Sequence, residues 1–440
     1  MTDPSQDRGL RRVLIVAREF PPGGGAPAIR IAKLVKYLPA FGWQVTVVTA
    51  PADHAFQRDE RLAEDLPADL DVHRIPRLFA RTIHPDRWAT HGTVQSAPPS
   101  RLGRLLIPDS GILWAAPAAR AVGRVIGGFD AILTSAPPFS THLVGLWAAY
   151  RHSVAWVADY RDNWTTSPFY DSRGPSRLLA VALERRILRQ AEVITVVSDA
   201  AAREIGLAFA VDPDRLHVAM NGFDPDDLPA DRTPARTFEI TYMGSMTHRR
   251  GPGPFLEAVE RASIVRSELR RDVRIRLIGS VPDWAIGAAI RTVGAERVTV
   301  DGILSHRDAL AKAADAAVLL GISSTAEAGG SALTSKLFEY LALRRPVLML
   351  APPGPAIEIV TAANAGEVAD PDDPEAIRDA LVRLYDGWAS GAEQRVPDEV
   401  LQRFTRRRTA AAVARALDLA VQRRADRPTK IGRRPAMQSG

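Results

Sequence analysis

Short runs rich in apolar residues recur along this chain, at 13–17, 45–49, 129–134, 154–158, 193–197, 238–243, 273–279, 298–300, 316–320, 347–350 and 366–369. Most are apolar at successive rather than alternate positions. That is the mark of a strand covered on both faces, and such strands belong to parallel sheets. Between the first two runs Ile29, Ala32, Leu34, Val35 and Leu38 fall at helical spacing, and Gly42 ends the pattern. Strand, glycine loop, helix and strand together begin a doubly wound α/β sheet. The pattern restarts at 238, after a stretch at 225–236 rich in Pro, Asp and Arg that reads as a linker. The expected organisation is two doubly wound Rossmann-like domains, 1–228 and 229–396, then an Ala/Arg-rich helix at 397–424 and a disordered basic tail at 425–440.

Composition narrows the function classes. The chain has 440 residues, enough for two or three domains, and no cysteine, which removes disulfides, thiolate metal sites and cysteine nucleophiles. A net charge of +6 suits phosphorylated substrates or an anionic membrane surface. No motif points to nucleic acid. No apolar run approaches the roughly 20 residues of a membrane helix, so a soluble or peripheral, cytoplasmic protein is expected.

The chemistry-bearing residues cluster at the ends of the expected strands, where open parallel sheets bind ligands. After the first strand come Gly23, Gly24 and Gly25, which allow close approach of a substrate. Past the strand at 129–134 a helix starts near His142, and past 154–158 lies the polar run Asp159-Tyr160-Arg161-Asp162. In the second domain Gly244, Ser245, Arg249, Arg250 and Gly251 make a loop suited to a diphosphate, with amides that approach and guanidinium forks that bind bidentately. Gly302 follows a later strand. The richest stretch is AEAGGSALTSKLFEYLALRRPVLML at 326–350. It reads as a small-residue loop with Gly329, Gly330 and Ser331, a helix capped by Ser335, and a buried strand. Glu339 falls among apolar residues one turn into that helix, where a carboxylate needs a polar partner such as a hydroxyl pair. Lys336 and the first amides of the helix would face an anionic group.

SKLFEYLALRRPVL resembles the nucleotide-sugar-binding segment of the GT-B glycosyltransferases of family 4. FPPGGGAPAIR with GWQVTVVT, SAPPFSTHL followed by ADYRDNW, and the turn Asn221-Gly222-Phe223-Asp224 resemble the same family, so the likeness runs from Val13 to about Tyr385. It implies that Glu339 binds the donor ribose and that Gly244, Ser245, Arg250, Gly302, Gly330, Ser331 and Lys336 line the rest of the donor site. Ser331 stands where the family commonly has a second glutamate. Ser245 and Arg250 stand where its phosphate loop has arginine and lysine.

The implied architecture is GT-B, two domains facing across a cleft with the last helix crossing back to the first. The implied reaction is retaining, metal-independent transfer of a sugar from a nucleotide-diphosphate sugar to a hydroxyl acceptor, without a cofactor. The acceptor would be a saccharide, a lipid-linked sugar or a small molecule, as in polysaccharide or glycolipid biosynthesis. It would sit near Gly23–Gly25 and Arg161, with His142, Asp162, Arg250 and Lys336 as the catalytic candidates. Two readings stay open beside it: a nucleotide-sugar epimerase of the same fold, and a catalytically inactive nucleotide-sugar-binding member.

Overall fold

Strand β1 (Arg11–Val16) pairs in parallel with β2 (Trp43–Thr49) on one side and β4 (Ala131–Ala136) on the other, with Val13 opposite Val45 and Ala131. The computed structural model describes residues 10–52, 57–78, 106–168, 170, 172–230, 235–248, 251–323, 333–392 and 396–427. In the first domain these strands are accompanied by α1 (Ala26–Tyr37), β3 (Asp71–Arg74), α2 (Ile112–Val125), α3 (Thr141–Arg151), β5 (Ala155–Tyr160), α4 (Pro175–Gln190), β6 (Val193–Val196), α5 (Asp199–Phe209) and β7 (Leu216–Val218). They form a seven-stranded parallel sheet in the order β3-β2-β1-β4-β5-β6-β7.

The second domain repeats the plan with β8 (Glu239–Met243), α6 (Gly253–Val265), α7 (Ser267–Asp272), β9 (Arg274–Ile278), α8 (Asp283–Val293), β10 (Val298–Gly302), α9 (His306–Ala313), β11 (Val318–Ile322), α10 (Lys336–Leu343), β12 (Val347–Leu350), α11 (Pro355–Ala362), β13 (Gly366–Ala369) and α12 (Pro374–Ala389). Its six-stranded sheet is ordered β10-β9-β8-β11-β12-β13. In both sheets the order reverses beside the first strand, between β1 and β4 and between β8 and β11. A crevice at the carboxyl ends of those strands is the natural ligand site of such a sheet.

Each strand run of the sequence is found, but four features differ from the expectation. Asp159 and Tyr160 lie inside β5, not in the loop beyond it. The stretch from about 51 to 110, whose irregular Pro-, Arg-, Asp- and His-rich sequence reads as an insertion or loop region, contributes β3, and α2 follows directly after it with Trp114 fully buried. Asp224, the last residue of the Asn221–Asp224 turn, and Asp227, at the start of the expected linker, are buried around a single 3-10 turn, Pro225–Asp227. The final helix is two: α13 (Asp398–Gln402) and α14 (Arg406–Asp426). The break between them is fixed by Thr405, whose side chain accepts from the Arg408 amide, and by Phe223, which exchanges bonds of 2.9 Å and 2.7 Å with Phe404 and Arg406. A Cβ on Gly222 would lie 2.3 Å from the Phe404 carbonyl oxygen, so the chain passes this point only as glycine.

From that break α14 returns to the first domain. Ala410, Val413, Ala414, Leu417 and Ala420 join Val13, Ile31, Val35, Val157 and Val193 in one apolar cluster. The helix therefore supplies one layer of the first domain's core. It runs two residues beyond the expected end at 424, and 428–440 of the expected tail lie outside the described residues.

Candidate active site

Helix α10 presents Glu339 and Lys336 on one face, three positions apart. Its apolar residues Leu337, Phe338, Leu341 and Leu343 are buried, which fixes the helix axis. Tyr340 fixes its rotation: its hydroxyl accepts from the Met243 amide at 3.0 Å and donates to the Leu320 carbonyl at 3.3 Å, so α10 is pinned to the ends of β8 and β11. Ser335 occupies the N-cap position but makes no capping bond with its side chain.

Lys336 extends over the end of β8, where a Cβ on Gly244 would fall 1.9 Å from the lysine nitrogen. Gly244 has φ 142°, and its carbonyl oxygen lies 2.3 Å from where a Cβ on Gly279 would be. Gly279 in turn donates its amide to Gly302, which has φ 69°, at 2.6 Å. Three glycines thus stand in a row at the carboxyl edge of β8, β9 and β10, and side chains there would cover that edge. Gly279 gave no signal beyond closing a strand run. Ser245, beside Gly244, has its carbonyl oxygen bound by the Tyr242 hydroxyl at 2.7 Å. Arg250, Gly330 and Ser331 lie outside the described residues.

Glu339 is 5 % exposed. Its Oε1 lies 3.5 Å from Nε2 of His306, the first residue of α9, and the same nitrogen lies 3.5 Å from Oδ2 of Asp227. Burial disfavours a charge on His306, but the carboxylates of Glu339 and Asp227 outweigh it and hold the imidazole pKa above its ordinary value. On the other side stands Arg406, buried at the start of α14, whose guanidinium donates to Asn221 at 3.1 Å. Burial lowers its pKa to about 10, while Glu339 and the aspartates oppose that shift.

The first domain meets this site through the glycine loop. Gly25, with φ 87°, starts α1. Gly24 donates to the Gln57 carbonyl at 2.7 Å and Gly23 bridges to Arg58, so segment 57–59 folds over the loop. A Cβ on Gly24 would lie 3.2 Å from Gln57, which leaves little space for a side chain there. That segment also touches the second domain: Gln57 donates to the Leu304 carbonyl at 3.3 Å, and Asp59 accepts from the His306 amide at 2.7 Å. The glycine loop therefore lies at the seam between the domains.

Three acidic residues converge at the same seam. Carboxylate oxygens of Asp65, Asp224 and Asp227 lie within 4.8 Å of one another, a spacing that a metal ion could occupy. The Lys33 ammonium stands among them instead, at 2.6, 2.8 and 2.7 Å, and supplies the positive charge a metal would bring. Lys36 and the Tyr37 hydroxyl complete the shell of Asp224. Burial works against the charges of Asp224 and Asp227, but Lys33, Lys36 and Tyr37 around Asp224, and His306 and Lys33 around Asp227, hold both carboxyls below the usual range.

The remaining candidates from the sequence are placed differently. His142 is fully buried under the sheet edge, with Nδ1 2.8 Å from the Thr134 hydroxyl and its ring stacked 4.5 Å from Tyr160. Burial drives its pKa down to about 3, so it is neutral. Asp159 is also fully buried and serves as a hub: it accepts from Arg30 at 3.1 and 2.8 Å, from Ser135 at 2.7 Å and from Thr195 at 2.8 Å. Arg161 donates to the carbonyls of Ala136 and Pro137, holding the strand end, and Asp162 is exposed. The Tyr-Arg-Asp run therefore contributes a loop anchor and a surface carboxylate. The polar groups that do meet at the seam include Lys33, Asp227, His306 and Arg406, none of which had stood out in the sequence. Arg30 and Lys33 lie on the apolar face of α1, where a charged residue normally reads as exposed.

With this geometry in hand, the likenesses to known proteins are specific. A family model described as a glycosyl transferase 4-like domain matches residues 25–222, and one described as glycosyl transferases group 1 matches 237–387. No curated protein matches the chain in sequence. Among solved structures, sucrose-phosphate synthase from Thermosynechococcus elongatus superposes with a TM-score of 0.65 at 17% identity, covering 92% of this chain and 98% of that one. Anabaena HepE in complex with UDP-glucose gives 0.64 at 16%, covering 92% and 99%. A structure titled as a UDP-N-acetylglucosamine 2-epimerase from Listeria monocytogenes gives 0.56 at 15%, covering 91% and 94%. At such identities these structures speak for the shared fold, which transferases and epimerases have in common.

Proposed function

From the premise that this chain belongs to the group 1 glycosyltransferases, with a 4-like first domain, we propose that it transfers a hexosyl group from a nucleoside-diphosphate sugar to a hydroxyl acceptor. The observation that carries this reading is Lys336 lying against Gly244 while Glu339, one turn on, is buried beside the domain seam. Glu339 accepts hydrogen bonds from the ribose hydroxyl pair. Lys336, lying over the glycine row, faces the diphosphate and stabilises the charge that develops as it leaves. The reaction retains anomeric configuration and needs no metal, the charge of Lys336 and Arg250 standing in for one. The acceptor enters from the side of Gly23–Gly25 and Arg161. The membership of transferase models favours this over the epimerase.

The test is a thermal-shift series with UDP-, GDP-, dTDP- and ADP-sugars on wild type and Glu339→Gln. A ligand at a hundred times its dissociation constant stabilises by about 2.7 kcal/mol. One nucleotide class is expected to shift wild type. Glu339→Gln should weaken that binding by about tenfold or more, because a charge-assisted acceptor is lost. Equal shifts in both proteins would remove Glu339 from the donor site.

No helix among the described residues is long and apolar enough to cross a membrane. Peripheral contact with an anionic bilayer is supported by α4. Its exposed face carries Arg185, Arg186 and Arg189, Leu178 and Leu179 are 73% and 52% exposed, and its one acidic residue, Glu184, is buried. Co-sedimentation with vesicles containing phosphatidylglycerol, but not with phosphatidylcholine alone, is the expected result. It should fall sharply in a variant with the three arginines changed to Gln, and equal pelleting with both lipids would exclude the contact.

A further inference from the structure

The amino end of α9 is where the first domain grips the second. Besides the bonds to Leu304 and the His306 amide, Arg307 reaches Asp65 at 2.7 Å and Asp227 at 3.4 Å, and Asp308 pairs with Arg61 at 2.6 Å. Each of residues 304, 306, 307 and 308 thus has a partner in the first domain or its closing turn. His306 alone among them also faces the donor side, through Glu339. Among the described residues, the one ion pair that Glu339 makes is to His306.

We propose that His306 is a positioning residue for the donor-binding carboxylate: its imidazolium, held between Asp227 and Glu339, fixes Glu339 for the ribose and ties that placement to the seating of the first domain. This rests on the reading of Glu339 given above. An imidazolium with one ring nitrogen can attract both carboxylates, whereas a neutral imidazole offers that nitrogen either a donor or a lone pair. The groups that face the ring are Asp227 from the closing turn, Glu339 from α10 and Arg406 from α14, the first two favouring its charge and the third opposing it. Asp59 fixes the backbone of the same residue. The buried Glu339 carboxylate is then oriented before the nucleotide arrives, and part of the ordering cost of binding is met in the free protein.

The experiment is calorimetric titration with whichever of UDP, GDP, ADP or dTDP binds wild type most tightly, from pH 6 to pH 9. The proteins are wild type, His306→Gln, His306→Leu, Asp227→Asn and Glu339→Gln. Wild-type affinity is expected to fall as pH rises through the raised pKa of His306. His306→Leu should bind about tenfold more weakly at pH 6 and show no such pH dependence, with His306→Gln intermediate. His306→Leu and Glu339→Gln should not be additive when combined. Asp227→Asn, which touches no part of the donor, should weaken binding in the same direction.

Unchanged affinity and an unchanged pH profile in His306→Gln, with Glu339→Gln impaired, would overturn the positioning role alone. Unchanged affinity in Glu339→Gln would overturn the donor-site reading beneath it. If His306→Leu does not fold, His306→Gln and Asp227→Asn carry the same comparison.

Discussion

Asp159→Ala is expected to destabilise the first domain by about 3–5 kcal/mol, because it leaves the Arg30 guanidinium buried without its counter-charge. Arg30 is 1 % exposed and Asp159 is fully buried, so water cannot take the place of the missing carboxylate. Ser135 and Thr195 lose their acceptor in the same step. Burial alone would raise the pKa of Asp159, but Arg30 and the two hydroxyls overcome it and hold the carboxyl below its ordinary range. A depressed folded pKa means stability that is present above the unfolded value and lost as pH falls through the folded one. The gap between wild type and variant should therefore be full at pH 7 and narrow only in strong acid. Urea unfolding followed by the fluorescence of the buried Trp43, Trp114, Trp156 and Trp164 reads this domain directly. A loss under about 1 kcal/mol at pH 7, no more than an ordinary substitution costs, would mean that the pair is not the anchor described. Asp159→Asn, which keeps the shape and part of the bonding, should fall between.

Lys33→Met should be comparably severe, about 3–5 kcal/mol at pH 7, for the opposite reason. It leaves Asp65, Asp224 and Asp227 facing one another within 4.8 Å with their central cation gone. Lys36, Arg307 and His306 remain at the periphery but cannot reach the centre of the group. Crowded carboxylates take up protons to relieve repulsion. The deficit of the variant should therefore shrink between pH 7 and pH 5, where wild type changes little because the carboxyls of Asp224 and Asp227 are held below their ordinary range. Three oxygen ligands without a counter-charge also make a site for a hard divalent cation. Millimolar calcium should raise the melting temperature of Lys33→Met and leave wild type unchanged. A variant that melts with wild type at every pH would show that the ammonium does not hold the three carboxylates together.

Both pairings turn on buried cations of α1, Arg30 and Lys33, which a reading of the sequence passes over. The strands were legible because a strand covered on both faces must be apolar throughout, and that pattern is local. Glu339 was legible because a carboxylate among Leu337, Phe338 and Leu341 contradicts its neighbours. Arg30 and Lys33 contradict theirs in the same way, but their partners lie far along the chain, Asp159 129 positions from Arg30 and Asp65 and Asp227 32 and 194 from Lys33, and only the closed fold brings them together. His306 looks like any first residue of a helix until Glu339 and Asp227 are placed on either side of it. Helix α2 was obscured by Pro117 and Gly123 within it, two residues that locally disfavour a helix and are tolerated here against Trp147 and the core. His142 and Asp162 are less legible in the sequence. Both follow a strand, yet one side chain is fully buried and the other exposed, a difference set by packing that sequence spacing does not record.

The return of α14 to the first domain also sets an order of events during synthesis. The ribosome releases the whole first domain, sheet and flanking helices, roughly two hundred residues before it makes Ala410 to Ala420. Through that interval the apolar surface formed by Ile31, Val35, Val157 and Val193 has no cover. A nascent chain of this kind leaves apolar surface exposed for longer than two independently closed domains would. The first half of the gene expressed by itself should give a sticky, poorly soluble product, and adding the last helix as a separate peptide should restore its solubility.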